Sequence, residues 1–117
     1  KLNTGADCSR FTKAVYRSCG YKIPRTSSSQ RRAGKKVSYK KKQPGDLICY
    51  SGHVAIYIGG GKIVHASSRK TGIKISPKAN YRKVVSVRRI EDKYREINIK
   101  PAKEKKPMES LPPILNL

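Results

Sequence analysis

Acidic residues are scarce in this chain, with seven Asp and Glu against 28 Lys and Arg among 117 residues. The formal net charge is therefore +21 at pH 7. A protein of this charge attracts polyanions such as nucleic acid, anionic lipid headgroups and acidic wall polymers. The length suits one domain, because single domains usually run to about 100–150 residues.

Long apolar runs are also missing. The longest candidate, "VAIYIGGGKIV", is interrupted by three glycines and a lysine, whereas a membrane-spanning helix needs about 20 apolar residues. We therefore expect no membrane span. The chain begins "KLNTGADC", without a methionine or the apolar core of a signal peptide, as expected of a mature protein or an excised domain.

Cysteines are few, at positions 8, 19 and 49, and none forms a C-x-x-C pair. An odd number of cysteines without C-x-x-C pairs argues against a disulfide framework and against a zinc ribbon. We expect Cys19 and Cys49 to be thiols in or near the core, with a bond between them as the less favoured alternative.

One amphipathic helix is predicted near the start of the chain. Asp7 suits a helix N-cap and Gly20 suits a helix stop. We predict a helix over 8–19, with a buried face formed by Phe11, Ala14, Val15 and the Ser18–Cys19 turn. The basic segment that follows has no core pattern and is expected to be a long connection, with a short helix at 27–33.

Five short runs rich in β-branched and aromatic residues follow Asp46: "DLICY", "HVAIYIG", "KIVHAS", "GIKIS" and "VVSVRRI". Their order after the helix predicts an α+β domain with a mostly antiparallel sheet of five to six strands. The chain after about residue 98 carries four prolines in a charged context. We therefore predict a folded domain over 1–97 and a flexible basic tail over 98–117.

The only two histidines, His53 and His65, flank a predicted hairpin. A three-residue loop of glycines at 59–61 would pair Ile58 with Lys62 and Ala55 with His65. Because strand side chains alternate, His53 would then share a sheet face with His65. A two-residue turn would separate them unless a β-bulge compensated.

A cysteine at a helix start and two histidines on one sheet face are the parts of a thiol hydrolase: a nucleophile, a base and a group that orients the base. A helix N-terminus is expected to lower the pKa of the Cys8 thiol and to offer N–H groups to an oxyanion. Two other roles stay open at this point. Cys8 could be a packing residue, or Cys8, His53 and His65 could bind zinc, although no fourth ligand is evident.

The ordered stretches "DCSRFTKAVYRSCGYKIPRTSSSQ", "QPGDLICYSGHVAIYIGGGKIVHASS" and "GIKIS" resemble the NlpC-type cysteine peptidases of bacterial cell walls, over about residues 5–90. The resemblance implies a papain-like α+β fold. It assigns Cys8 as nucleophile, His53 as base and His65 as the residue that orients the base. It also implies that no cofactor and no metal is needed.

By the same resemblance, the reaction is hydrolysis of a peptidoglycan stem peptide through a thioester. The expected bond joins the γ-carboxyl of D-glutamate to diaminopimelate or lysine. The backbone amides of Cys8 and Ser9 become the oxyanion candidates, and Asp7 is expected to shape the site. The substrate is expected to contact Asp7, Ser9, Arg10, Ser51 and Gly52.

Two features depart from the family pattern. Arg10 stands where many relatives carry glycine, and its side chain either meets the substrate or points to solvent. Only seven residues precede Cys8, whereas relatives usually have an upstream helix and a tyrosine-bearing segment. We therefore expect either that the sequence lacks part of the domain or that the protein is an abbreviated member of the family.

The resemblance further implies secretion or association with the cell envelope, where the positive charge would hold the protein to anionic wall polymers. Two alternatives remain. One is an amidase or acyltransferase that uses Cys8 and His53 on another acyl donor. The other is a non-catalytic basic module for wall polymer or nucleic acid. No basic run lies in a recognised nucleic-acid motif, so no specific nucleic-acid partner is expected.

Overall fold

The computed structural model describes residues 4–68 and 72–95. The predicted tail over 98–117 and the predicted domain end at 97 lie outside these residues. Two α-helices precede all of the strands: α1 (Thr4–Ser18) and α2 (Ser27–Gln30). The strands are β1 (Lys35–Val37), β2 (Leu47–Tyr50), β3 (His53–Gly59), β4 (Lys62–Ser68), β5 (Gly72–Ser76) and β6 (Ser86–Arg89). Within the described ranges, no helix has the length and apolar character required to cross a membrane.

The strands form one six-stranded sheet in the order β1-β6-β2-β3-β4-β5, and every neighbouring pair is antiparallel. Helix α1 packs over β3 and β4. This arrangement confirms the predicted α+β class and the five predicted strands. The short second helix also forms, but it ends at Gln30 and not at residue 33.

The sixth strand, β1, lies inside the segment that was expected to be a plain connection. It pairs with β6 from Lys35 opposite Arg89 to Val37 opposite Val87. Its two lysines are exposed, as is usual for edge strands, which charged side chains protect from further pairing. A three-residue strand with two lysines has no apolar alternation, so only its pairing with β6 defines it.

Helix α1 begins at Thr4, earlier than predicted, and Asp7 is therefore a residue of its first turn and not its N-cap. A carboxylate in the first turn still interacts favourably with the helix dipole. The predicted buried face is also partly wrong, because Ala14 and Ser18 are exposed. The helix instead buries Cys8, Ser9, Thr12, Val15 and Tyr16.

The β3–β4 hairpin reaches the predicted register by a different route. Ile56 pairs with Val64 and Tyr57 with Ile63, but Gly59, and not Ile58, pairs with Lys62. A bulge between Tyr57 and Gly59 absorbs the extra residue. The turn therefore has two residues, Gly60 and Gly61, with φ of 62° and 80°, and positive φ at both central positions is what the favoured two-residue hairpins require.

The sheet has a buried cluster on each face. The cluster under α1 contains Cys8, Val15, Tyr16, Leu47, Cys49, Val54, Ile56, Val64 and Ala66 among its members. The cluster on the other face contains Ile48, Tyr50, Ala55, Tyr57, Ile63, Ala79 and Val87. Cys49 is buried and Cys19, directly after α1, is half-buried, and neither forms a disulfide. Both cysteines are thus the core or near-core thiols that were predicted.

Candidate active site

The two histidines form a buried, hydrogen-bonded pair. His53 begins β3 and His65 lies in the middle of β4. His53 Nε2 lies 2.7 Å from His65 Nδ1, and the two side chains are almost completely buried. The prediction that they share a sheet face is therefore confirmed, through the bulge and not through a three-residue loop.

A third side chain extends this pair. Ser76, the last residue of β5, places its Oγ 2.8 Å from His65 Nε2. The three side chains form one chain of hydrogen bonds, His53–His65–Ser76, across three adjacent strands. Its far end, His53 Nδ1, is buried and has no hydrogen-bond partner within the described part of the chain.

The chain of hydrogen bonds can run in two directions. In one, His53 Nε2–H donates to His65 Nδ1, and His65 Nε2–H donates to the Ser76 hydroxyl. Only this direction leaves His53 Nδ1 without a proton and able to accept one. The geometry therefore suits a neutral His53 that acts as a base at Nδ1.

Both imidazoles are held in their neutral form. Burial, with smaller contributions from His65 and Arg82, lowers the pKa of His53 from 6.5 to about 4. Burial, followed by Lys74 and Arg82, lowers the pKa of His65 to about 4 as well. A neutral imidazole at physiological pH is the form that can take a proton from a thiol.

These pKa values predict acid sensitivity of the fold. Between pH 6.5 and about 4 the unfolded chain binds protons that the buried pair in the folded chain does not. The free energy of unfolding therefore falls as the pH drops through this window. We expect the melting temperature to fall by at least about 5 °C between pH 7 and pH 5. Calorimetry of a His53→Gln/His65→Gln variant should show a melting temperature that depends less on pH. An equal pH dependence in the variant and the wild type would contradict the assignment of this effect to the two histidines.

Cys8 lies near the N-terminal end of α1, and its side chain is fully buried. The thiol lies near the backbone N–H of Val54, the residue directly after His53. The N–H groups of Ser9 and of Cys8 itself also face the sulfur. Cys8 thus approaches β3 from the α1 side of the sheet, at the strand end where His53 is located.

The thiol does not have the lowered pKa expected from a helix start. Burial raises the pKa of Cys8 above 9.0, and the three backbone N–H groups only partly oppose this effect. The sulfur is not hydrogen-bonded to His53 Nδ1 in this structure. Catalytic hydrogen bonds are often long in the absence of substrate and shorten in the substrate complex. The resting site therefore contains a neutral thiol near the N–H of Val54 and a neutral imidazole on the preceding residue, His53.

A buried polar cluster fixes the helix residue after Cys8. The Gln30 Nε2 donates to the Ser9 carbonyl at 3.0 Å and to the Pro24 carbonyl at 2.9 Å. The Thr12 hydroxyl lies 2.6 Å from Gln30 Oε1. Through these bonds α2 holds the part of α1 that carries Cys8.

Replacing Gln30 with Ala should destabilise the protein. The change removes three hydrogen bonds and leaves buried polar groups without partners, which costs about 2–4 kcal/mol in the free energy of unfolding. Urea denaturation measures this cost. Ser28→Ala in the same helix, at an exposed position, is the control and should change the free energy by less than about 0.5 kcal/mol. Equal stability of the two variants would show that the cluster does not hold α2 to α1.

The other predicted site residues lie in two places. On α1, the Ser9 hydroxyl accepts a bond from Arg25 at 3.1 Å, while the exposed Arg10 side chain lies 4.0 Å from the Asp7 carboxylate. Ser51 and Gly52 form the exposed turn between β2 and β3. Across the described ranges, no group of three or more His, Cys, Asp and Glu side chains is arranged to hold a metal ion.

Several residues near the histidines were not anticipated. The position of Ser76 near His65 is explained by the β4–β5 register. His65 pairs with Lys74, and Ser76 lies two residues further along β5 on the same face. The rings of Tyr50 and Tyr81 lie 5.7 Å from those of His53 and His65, respectively. Tyr81 lies between strands β5 and β6, where no periodic pattern predicts its position.

Comparison with known proteins finds one family by sequence and by structure. The model of the NlpC/P60 family matches residues 1–102. A gamma-D-glutamyl-L-lysine dipeptidyl-peptidase of Bacillus cereus is 40% identical over 81 residues, which cover 62% of this chain and 24% of that protein. The chain therefore spans about a quarter of the length of this curated relative.

Solved structures also resemble the fold. An NlpC/P60 family protein of Bacillus cereus superposes with a TM-score of 0.64 at 35% identity, over 71% of this chain and 31% of that one. The peptidoglycan hydrolase RipB of Mycobacterium tuberculosis superposes with a TM-score of 0.65 at 34% identity, over 74% of this chain and 45% of that one.

Proposed function

Because the chain belongs to the NlpC/P60 family, we propose that it is a cysteine endopeptidase that hydrolyses stem-peptide amides of peptidoglycan. The observation that carries the proposal is the His53–His65–Ser76 chain of hydrogen bonds, which ends in an unpartnered Nδ1 at the strand end that Cys8 approaches. The names of the relatives favour the bond that follows the γ-carboxyl of D-glutamate.

In the proposed reaction, the Cys8 sulfur attacks the carbonyl carbon of the scissile amide while its proton passes to His53 Nδ1. The resulting imidazolium is stabilised by its Nε2–H bond to His65. The tetrahedral intermediate collapses as the C–N bond breaks, and the imidazolium gives its proton to the leaving amine. Water, deprotonated by His53, then attacks the thioester and releases the acid and the Cys8 thiol.

The raised pKa of Cys8 fits this order of events. A thiol that remains protonated in the resting enzyme transfers its proton as the carbon–sulfur bond forms. The negative charge then develops on the carbonyl oxygen, where the backbone N–H groups of Cys8 and Ser9 are our oxyanion candidates. Both face the sulfur, and each such donor is worth about 2.7–4 kcal/mol of barrier.

We further propose that Asp7, Ser9, Arg10, Ser51 and Gly52 contact the stem peptide. The charge of +21 supports retention on anionic wall polymers. Action on peptidoglycan supports a location outside the cell or in its envelope. The catalytic domain is proposed to extend over 1–97, with 98–117 as a basic tail.

Ser76 is a positioning residue in this scheme, since its hydroxyl accepts from His65 Nε2 and thereby fixes the direction of the hydrogen-bond chain. Ser76→Ala should lower kcat about tenfold, the equivalent of one lost hydrogen bond of about 1.4 kcal/mol, with KM unchanged. Ser76→Thr keeps the hydroxyl and should restore most of kcat. Steady-state kinetics on a synthetic stem peptide measures both parameters. A loss that Thr does not restore would contradict the positioning role.

Digestion of purified peptidoglycan tests the function. Mass spectrometry of the soluble fragments should identify new amino termini on diaminopimelate or lysine. Fragments cut between muramic acid and the first amino acid would indicate an amidase instead. Salt-dependent binding to the wall without any fragment would support the non-catalytic basic module.

A further inference from the structure

An exposed arginine lies at the outer edge of the histidine pair. Arg82 follows Tyr81 in the segment between β5 and β6, and its Nη2 donates to the Ser51 carbonyl at 3.1 Å. Its guanidinium carbon lies 5.6 Å from the centre of the Tyr50 ring and 5.9 Å from that of Tyr81. These interactions fix the guanidinium at the edge of the site.

The two tyrosines connect Arg82 to the catalytic pair. Tyr50 contacts His53 and Tyr81 contacts His65, each at 5.7 Å between ring centres. Each tyrosine ring therefore contacts both the guanidinium and one of the two imidazoles. The ring contacts with Tyr50 and Tyr81 leave the in-plane N–H groups of the guanidinium available.

The charges that act on the pair are positive. Among residues 4–68 and 72–95, Arg82 and Lys74 are the charged side chains that influence the pKa values of His53 and His65. Arginine has five N–H donors, and within the described part of the chain one of its nitrogens is occupied by the Ser51 carbonyl. The remaining donors can form a two-point contact with a carboxylate.

We propose that Arg82, held between Tyr50 and Tyr81, is a subsite for a substrate carboxylate adjacent to the scissile bond. This inference rests on the proposed function. In a γ-linked glutamyl residue, three carbons separate the free α-carboxylate from the scissile carbonyl, so this anionic group lies close to the reacting bond. Arg82 is the cation that contacts both tyrosines next to the catalytic imidazoles. Arg82 thereby selects the α-carboxylate form of the stem peptide over its α-carboxamide form.

The test compares two synthetic peptides that differ only in this group, with γ-D-glutamyl-L-lysine as the common core. The wild type should hydrolyse the carboxylate peptide with a kcat/KM about tenfold higher than that of the carboxamide. Arg82→Gln should reduce this ratio to below about two. Lys74→Gln removes a nearby positive charge without removing the guanidinium, and should leave the ratio at about tenfold. An unchanged ratio in Arg82→Gln, or an equal loss in Lys74→Gln, would overturn the subsite.

Binding separates this inference from the proposed function. Calorimetry with the Cys8→Ala protein should give a Kd about tenfold lower for the carboxylate peptide, and Arg82→Gln in the same background should make the two values equal. If the wild type cleaves neither peptide but this difference in Kd persists, the subsite stands and the proposed reaction fails. Equal Kd values in Cys8→Ala would refute the subsite even if both peptides are cleaved.

Discussion

Cys8→Ala is expected to lower kcat/KM for a stem peptide by at least about 10⁴-fold, because removal of a nucleophile leaves only binding and oxyanion stabilisation. The variant should remain folded. Cysteine and alanine differ by one sulfur atom, and the thiol forms no disulfide. Release of fragments from purified peptidoglycan and hydrolysis of a synthetic peptide provide independent measurements of the loss.

Cys19→Ala is the matched control for this variant. Cys19 lies directly after α1 and is half-buried, away from the histidine pair. The activity of the Cys19→Ala variant should stay within about twofold of the wild-type activity, since substitutions away from the site usually have small effects. Residual activity of Cys8→Ala above one tenth of the wild-type value would exclude Cys8 as the nucleophile. Melting temperatures of both variants show whether any loss comes from unfolding.

The second large effect is expected for His53→Gln, which should lower kcat by at least about 10³-fold. Glutamine keeps polar atoms at the site but cannot accept and return a proton. The buried position and the hydrogen bond to His65 show that His53 is held in one orientation. Steady-state kinetics at pH 7, where the wild-type imidazole is neutral, measures the loss.

His65→Gln is the informative comparison. An amide oxygen can accept from His53 Nε2 as His65 Nδ1 does, so the orientation of the base is partly retained. We expect a smaller loss of about 10–100-fold in kcat. If His65→Gln were less active than His53→Gln, the order of roles along the His53–His65–Ser76 chain would be wrong.

Much of the fold was readable from the sequence because its signals are local. The β3 boundaries follow from an apolar run between glycines, and those of β5 from an alternating run between Gly72 and Pro77. Both match the structure. The boundaries of α1 were less predictable. Thr4, Gly5 and Ala6 adopt the helix without an amphipathic signal, so a good N-cap residue at position 7 suggested a start that the helix does not have.

The histidine pair was predictable because strand alternation is strict. Either an odd loop or a bulge would bring His53 and His65 to one face, and the bulge between Tyr57 and Gly59 does so. The local sequence pattern does not distinguish the odd loop from the bulge, since three consecutive glycines tolerate both. The choice depends on how the whole hairpin packs.

The pKa of Cys8 and the positions of Ser76 and Arg82 were not predictable in this way. Burial by the surrounding core, which no short motif encodes, outweighs the helix terminus and raises the pKa of the thiol. Ser76 reaches His65 through a strand register set by a separate hairpin. Arg82 is positioned by a carbonyl and two aromatic rings from distant parts of the chain.

The most direct test of the central claim is mass spectrometry of the enzyme after rapid acid quenching during turnover of a synthetic stem peptide. Our account predicts an acyl adduct with the mass of the γ-glutamyl fragment, which proteolytic mapping assigns to Cys8 and which alkaline hydroxylamine removes. Turnover of the peptide with no adduct on Cys8, together with undiminished turnover by Cys8→Ala, would contradict the thioester mechanism.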